Sequence, residues 1–421
     1  MAFLKSCTFF IAVVSFTALL SGCGKGETVE NADQYISTVE QMDIPDDVEV
    51  IGLGEATHGN IEFQELKKQV FETLMKKENV RVFILEGDFG GGQQINKYIV
   101  NGEGTAEAAV NSLDYRIYKT EQMIDLVQWM HDFNKSVRED EKIRFYGNDM
   151  QRYDFSKMEL LDFYAVVNKD AAKKYANQLK LVSNEAMREL TTEQLAKVDH
   201  TIDDIIQDLL SNKAKYLEHS SPDDFAFATA NAQIMKQRTQ LFLNEENYTD
   251  LRDQYLAENL QWIIEFEKDR GNDKVFFTGH NGHVEKTSAS LAGYKSMGHY
   301  LDEEFGEKYF AIGTDFINSQ FQALNRGSDK RKIYTLENHN DLVDTFSGVE
   351  QNIFYFDFEK SRESDELLTI ISSNQKMANI GDDFRAWYKL LKRFYTIEMV
   401  PDQAYDGIII VKKATPTKVL E

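Results

Sequence analysis

Glu55 and His58, Glu86, Asp149, and His280 with His283 each stand just beyond a short, strongly apolar run. A carboxylate three residues from an imidazole, in Gly54-Glu55-Ala56-Thr57-His58-Gly59, is acid-base machinery. The acid fixes the ring's tautomer and raises its basicity, and the other ring nitrogen is left to take a proton from water or a hydroxyl. His280-x-x-His283, flanked by Gly279 and Gly282, has a spacing familiar from metal ligands. With Glu55, His58 and Glu86 it supplies enough donors for zinc, manganese or iron. The same five groups equally suit a metal-free site in which imidazoles hydrogen-bond an oxyanion while His58 activates water. Spacing alone leaves both open.

These groups need a scaffold that brings distant residues to one rim. The apolar runs at 48–53, 80–85, 143–146 and 275–278 are short and rich in β-branched and aromatic residues, as in strands buried on both faces. Ligands of open α/β sheets bind beyond the carboxyl ends of such strands. Phe63, Leu66, Val70 and Leu74, at spacings of three and four, predict an amphipathic helix over 61–77. A strand, helix and strand of this length imply a parallel, right-handed crossover. Further helices are expected over 32–42, 94–100, 121–134 and 286–301, and strands over 309–312, 353–358 and 408–411. The glycine-rich stretch 87–92 predicts a loop that makes room near Glu86. It lacks the lysine and the glycine spacing of a phosphate-cradling loop. From about 155 to 269 there is only one proline, Pro222, and helical spacing throughout, which predicts an inserted helical subdomain. The expected fold class is α/β: a mainly parallel central sheet flanked by helices, with that insertion.

Secondary groups read less sharply. Asp149 either orients a site residue or caps the following helix. Arg252-Asp253 reads as a solvated or salt-bridged pair on a helix, although an arginine from an inserted helix is able to reach the rim. His131, His200, His219, His299 and His339 have no acidic partner at a strand end and read as surface or packing residues. No Gly-x-Ser-x-Gly elbow occurs, so an esterase of this kind must use activated water.

The chain has 421 residues, 42% of them hydrophobic, and a formal charge of −23. Its size allows one large domain with an insertion, and the charge disfavours nucleic-acid binding. Lys5, the apolar stretch 9–20 and Leu20-Ser21-Gly22-Cys23 resemble a lipoprotein signal with its lipobox. The expected organisation is a signal peptide over 1–22, a tether and short helix over 23–44 beginning at acylated Cys23, and one α/β domain over 45–421. Cys7 leaves with the signal, so no disulfide or thiolate chemistry is expected. The expected location is the bacterial cell envelope, with the N-terminal lipid as membrane anchor.

Taken together, Gly54 to Gly59, Leu85-Glu86-Gly87-Asp88, Ile95-Asn96-Lys97-Tyr98, the segment 121–134 and Tyr146-Gly147-Asn148-Asp149 resemble the erythromycin esterase family. So do Arg252-Asp253, Ala257-Glu258-Asn259, His280-Asn281-Gly282-His283 and the segment from Met297-Gly298 to Gly313. The family also includes proteins described under succinoglycan biosynthesis. The resemblance implies a hydrolase without cofactor that opens an ester or a macrolide-like lactone, with antibiotic resistance as one use. It puts the catalytic histidine on His58, its partner acid on Glu55, a second acid on Glu86 and the later pair on His280 and His283. Arg252, Asp149 and Lys67 are the candidate substrate contacts. Lys67 stands where the family has an arginine, nine residues after the histidine, and Tyr118 where a tryptophan is common. A lysine does not reproduce a bidentate guanidinium contact. Two alternatives remain: a metal-dependent hydrolase or peptidase using the five Glu and His side chains, and a non-catalytic iron- or haem-binding surface lipoprotein.

Overall fold

The computed structural model describes residue 29, residues 31–289 and residues 293–420. The lipobox and Cys23 lie outside the described residues. Among the described residues eleven strands follow in chain order: β1 (Ile36–Ser37), β2 (Val50–Glu55), β3 (Val82–Asp88), β4 (Arg144–Asp149), β5 (Val275–His280), β6 (Tyr309–Asn325), β7 (Lys330–Glu337), β8 (Ile353–Asp357), β9 (Gln375–Ala378), β10 (Thr396–Met399) and β11 (Gly407–Ala414). Nine form one sheet in the order β1-β8-β11-β6-β2-β5-β3-β4, with β7 added on β6. From β4 to β11 along that order the pairs are parallel; β8, β1 and β7 join antiparallel.

Period-two alternation explains why the central strands are apolar along their whole length. In β3, Phe83 and Leu85 face one core while Val82 and Ile84 face another. In β5, Phe276 goes to the first and Val275 and Phe277 to the second. With both faces covered, each side chain must be apolar. The first core is closed by α1 (Ile61–Lys77), α2 (Phe89–Asn101), α3 (Ala106–Asn111) and α4 (Glu121–Lys135). Between β4 and β5 run α5 (Asp154–Val167), α6 (Lys169–Gln178), α7 (Thr192–Ser211), α8 (Lys213–Tyr216), α9 (Pro222–Leu243) and α10 (Tyr248–Lys268). Several of these helices share a third core around Tyr164, Ile202, Ile205 and Tyr216. α10, with α9, covers the second face of the sheet. After β5 come α11 (Asn281–Val284) and α12 (Met297–Phe305).

Three expectations need correction. The segment 32–42 is not one helix but two 3-10 turns separated by β1, which adds to the sheet edge by pairing with β8. The glycines at 90–92 are not a loop beside Glu86; they lie inside α2. A Cβ on Gly91 would stand 2.3 Å from the Ser112 carbonyl oxygen, and one on Gly92 2.3 Å from the Gly147 nitrogen. Glycine therefore serves close backbone packing of α2 against its neighbours. The helix expected over 286–301 begins only at Met297, as α12 capped by Ser296, while Ser288 ahead of it has a left-handed φ of 59°; the short α11 directly follows β5.

Candidate active site

Parallel β4, β3, β5 and β2 end on one edge, so their last residues meet. Glu55 lies opposite His280 in the β2–β5 register. Glu86 occupies the β3 position beside Gly279, where any Cβ would stand 2.8 Å from Glu86 Oε2. The missing side chain at 279 is thus what lets Glu86 reach across and accept from the His280 backbone N–H at 2.8 Å.

Two charged relays occupy the rim. In the first, His58 Nδ1 donates to Glu55 Oε1 at 2.6 Å and Lys67 Nζ donates to Glu55 Oε2 at 2.6 Å. A tight turn, in which Gly59 N–H donates to the Thr57 hydroxyl at 3.0 Å, brings His58 back over Glu55 before α1 begins. Lys67, one of the largest fully buried side chains, projects from α1 and also donates to Gln64 Oε1 at 3.2 Å. Burial disfavours the Glu55 carboxylate, but Lys67 and His58 outweigh it and hold its pKa below the usual range. Burial likewise works against a charged His58, yet Glu55, with help from Glu86, raises its pKa above the ordinary 6.5. Nδ1 is committed to Glu55, which leaves Nε2 as the basic nitrogen.

In the second relay, Arg252 comes off α10 and donates to Glu86 Oε1 at 2.8 Å and Asp149 Oδ2 at 2.7 Å. Its Nη1 lies 2.9 Å from His283 Nε2. A guanidinium only donates, so His283 Nε2 accepts from it when the ring is neutral with its proton on Nδ1, which lies 2.7 Å from Asp253 Oδ1; a protonated ring instead directs Nε2 to Glu86 Oε1, 3.4 Å away. Burial opposes protonation of His283, while Asp253 and Glu86 override it and raise its pKa. Burial alone would raise the pKa of Glu86; His283, Arg252 and His58 instead depress it strongly. Asp253 Oδ1 also accepts from Met297 N–H at 2.9 Å, which ties α10 to the start of α12.

His280 stands between the relays, its ring centroid 5.0 Å from that of His58. Burial first, then the neighbouring His58, pushes its pKa down to about 3, so the ring is neutral. Its Nε2 is buried and has no partner among the described residues. Of its two anticipated alternatives Asp149 takes the first: Oδ2 accepts from Arg252 and from the Tyr115 hydroxyl, while Oδ1 accepts from Gln151 N–H in the turn after β4 and α5, with Tyr153 at its N-cap, has no side-chain cap.

All eight anticipated side chains gather at this rim. Lys67 sits beneath Glu55, fully enclosed, and Arg252 is inside the cluster instead of on a solvated face. Tyr115 was missed, and Asp253 and Tyr118 were noted without a role in the site. Tyr118 donates to the Glu86 backbone carbonyl at 2.9 Å, and its ring lies 5.5 Å from Lys67 Nζ. Adjacency of Asp253 to Arg252 was a signal for the acid; the tyrosines sit in an irregular segment with no periodicity to mark them. Among the described residues no three His, Cys, Asp or Glu side chains are arranged to hold a metal ion.

Residues 75–414 match the family model described as Erythromycin esterase, a match that begins beyond the Glu55–His58 loop. The Erythromycin esterase type II of Escherichia coli is 24% identical over 423 residues, covering 92% of this chain and 95% of that protein. A Bacillus cereus protein of known structure superposes with a TM-score of 0.78 at 22% identity, over 93% of this chain and 100% of the other. The crystal structure of an erythromycin esterase mutant in its open conformation gives 0.65 at 15% identity, over 89% and 93%.

Proposed function

The chain belongs to the erythromycin esterase family, and from that premise we propose that it is a hydrolase using His58-activated water to open an ester or macrolide-like lactone. The observation that carries this reading is the Lys67–Glu55–His58 relay, with 2.6 Å contacts at both carboxylate oxygens. Glu55 fixes the Nδ1–H tautomer, Lys67 fixes Glu55, and His58 Nε2 takes a proton from water as the oxygen attacks the carbonyl carbon. The proton then passes to the departing alkoxide, so the base is regenerated. His280, neutral and with an unpartnered Nε2, supplies a donor to the developing oxyanion when its proton is on that nitrogen. Arg252, pinned by Glu86 and Asp149, presents a fixed positive edge to the same substrate. Lys67 acts as a positioning residue, since its ammonium is fully enclosed.

A panel of aryl esters, simple lactones and macrolides tests the reading. Ring opening or cleavage with uptake of one water, unaffected by chelator, is expected for at least one class. Activity that disappears with chelator and returns with a divalent metal would move the assignment to the metal-dependent alternative. We propose also, from the lipobox alone, that acylated Cys23 anchors the protein in the cell envelope.

A further inference from the structure

The chain carries 70 acidic against 47 basic side chains, yet among the described residues one groove is lined by cations and no carboxylate. It has a volume of about 1120 Å³ and runs between Arg116 and Lys119, β7, and the C-terminal segment 416–420. Its cations are Arg116, Lys119, Arg331, Lys332 and Lys418. Arg331 is tied to Asp382 and, at 2.9 Å, to Gln322 Oε1. Among the described residues the other four have no ion pair and no side-chain hydrogen bond. In a molecule so rich in carboxylates, four unpaired cations around one concavity make a local field opposite to that of the whole.

The floor adds a second observation. Gln322 is only 7% exposed, and among the described residues neither its Nε2 nor Arg331 Nε beside it has a partner. Buried donors are normally satisfied. An amide N–H and a guanidinium N–H left unfilled under a cationic groove suit an oxyanion, which offers acceptor lone pairs together with negative charge.

We propose that this groove binds a polyvalent oxyanion, a small molecule bearing two or more carboxylate or phosphate groups. The cavity exceeds what a single inorganic anion fills, and the exposed Ile333 on its wall, 63% accessible, accommodates a carbon skeleton between the charges. The site is distinct from the histidine cluster but backs onto it. Gln322 N–H and Thr417 N–H both donate to the Gly59 carbonyl, at 3.1 and 3.0 Å, one residue beyond His58. Arg116 and Lys119 bracket Tyr118, which holds the backbone of Glu86.

Calorimetric titration of the purified protein with citrate and with tripolyphosphate, at low and raised salt, tests the proposal without reference to hydrolysis. Binding of either ligand is expected, weakening as salt rises; which one binds identifies carboxylate or phosphate as the source. Lys332→Glu with Lys418→Glu, both at exposed positions, should weaken binding about tenfold or more, and Lys332→Gln with Lys418→Gln should weaken it less, with melting temperatures unchanged. Absence of binding for both ligands at millimolar concentration and low salt overturns the proposal, as does equal binding by a folded charge-reversed variant.

Discussion

Lys67 makes the chemistry of a single residue testable apart from folding. Its ammonium and the Glu55 carboxylate form a buried pair, and removing one partner from such a pair typically costs about 3–5 kcal/mol, whereas replacing both with neutral groups costs far less. Lys67→Met should therefore lower stability by about 3–5 kcal/mol in chemical denaturation. Adding Glu55→Gln should recover much of that loss while leaving hydrolysis impaired. The pH dependence follows from the same relay. The base form of His58 is required, and its pKa is raised above 6.5, so the rate should fall on acidification with an apparent pKa above 6.5. In the double variant the carboxylate that most raises this pKa is absent, and the acidic limb should move to lower pH. A limb that stays in place would separate the observed titration from His58.

Among the elements, α2 and β4 hold each other at backbone distance. A Cβ at Gly92 would stand 2.3 Å from the Gly147 nitrogen, and one at Gly147 2.2 Å from the Asp88 carbonyl oxygen. No flexible side chain is there to give way, so Gly92→Ala should cost about 1–3 kcal/mol. It should also lower turnover, because β4 carries Asp149 at its end; an unchanged melting temperature would argue against this packing account. Here the limits of the sequence have a physical cause. The four rim strands and α1 were legible because buried-strand and 3.6-residue periodicities are strong and local. The glycines of α2 misled, since close packing and loop formation both select glycine and only the partner surface distinguishes them. Arg252 and Asp253 looked like a surface pair because α10 has a weak apolar stripe, and their burial depends on Glu86 of β3 and Asp149 of β4, distant in sequence, and on His283 of α11.

For the whole molecule, the described residues form a nine-stranded sheet covered on both faces and a separate two-stranded β9–β10 sheet, and none of their helices is long and apolar enough to cross a membrane. The proposed attachment rests on the lipobox. Cys23→Ser should shift the protein from the membrane to the soluble fraction on cell fractionation; retention in the membrane fraction by that variant would contradict a lipid anchor at Cys23. The order of motifs along the chain carried the family before any fold was in view, while the convergence of eight side chains from five separate segments needed the parallel sheet to become visible. The central claim is that His58 is the base that activates water. The most direct measurement is turnover of the best lactone or ester substrate by His58→Ala, with melting temperature and circular dichroism as controls for folding. The account predicts a loss of about a hundredfold or more in a variant that remains folded. Turnover near the wild-type rate in such a folded variant would contradict it.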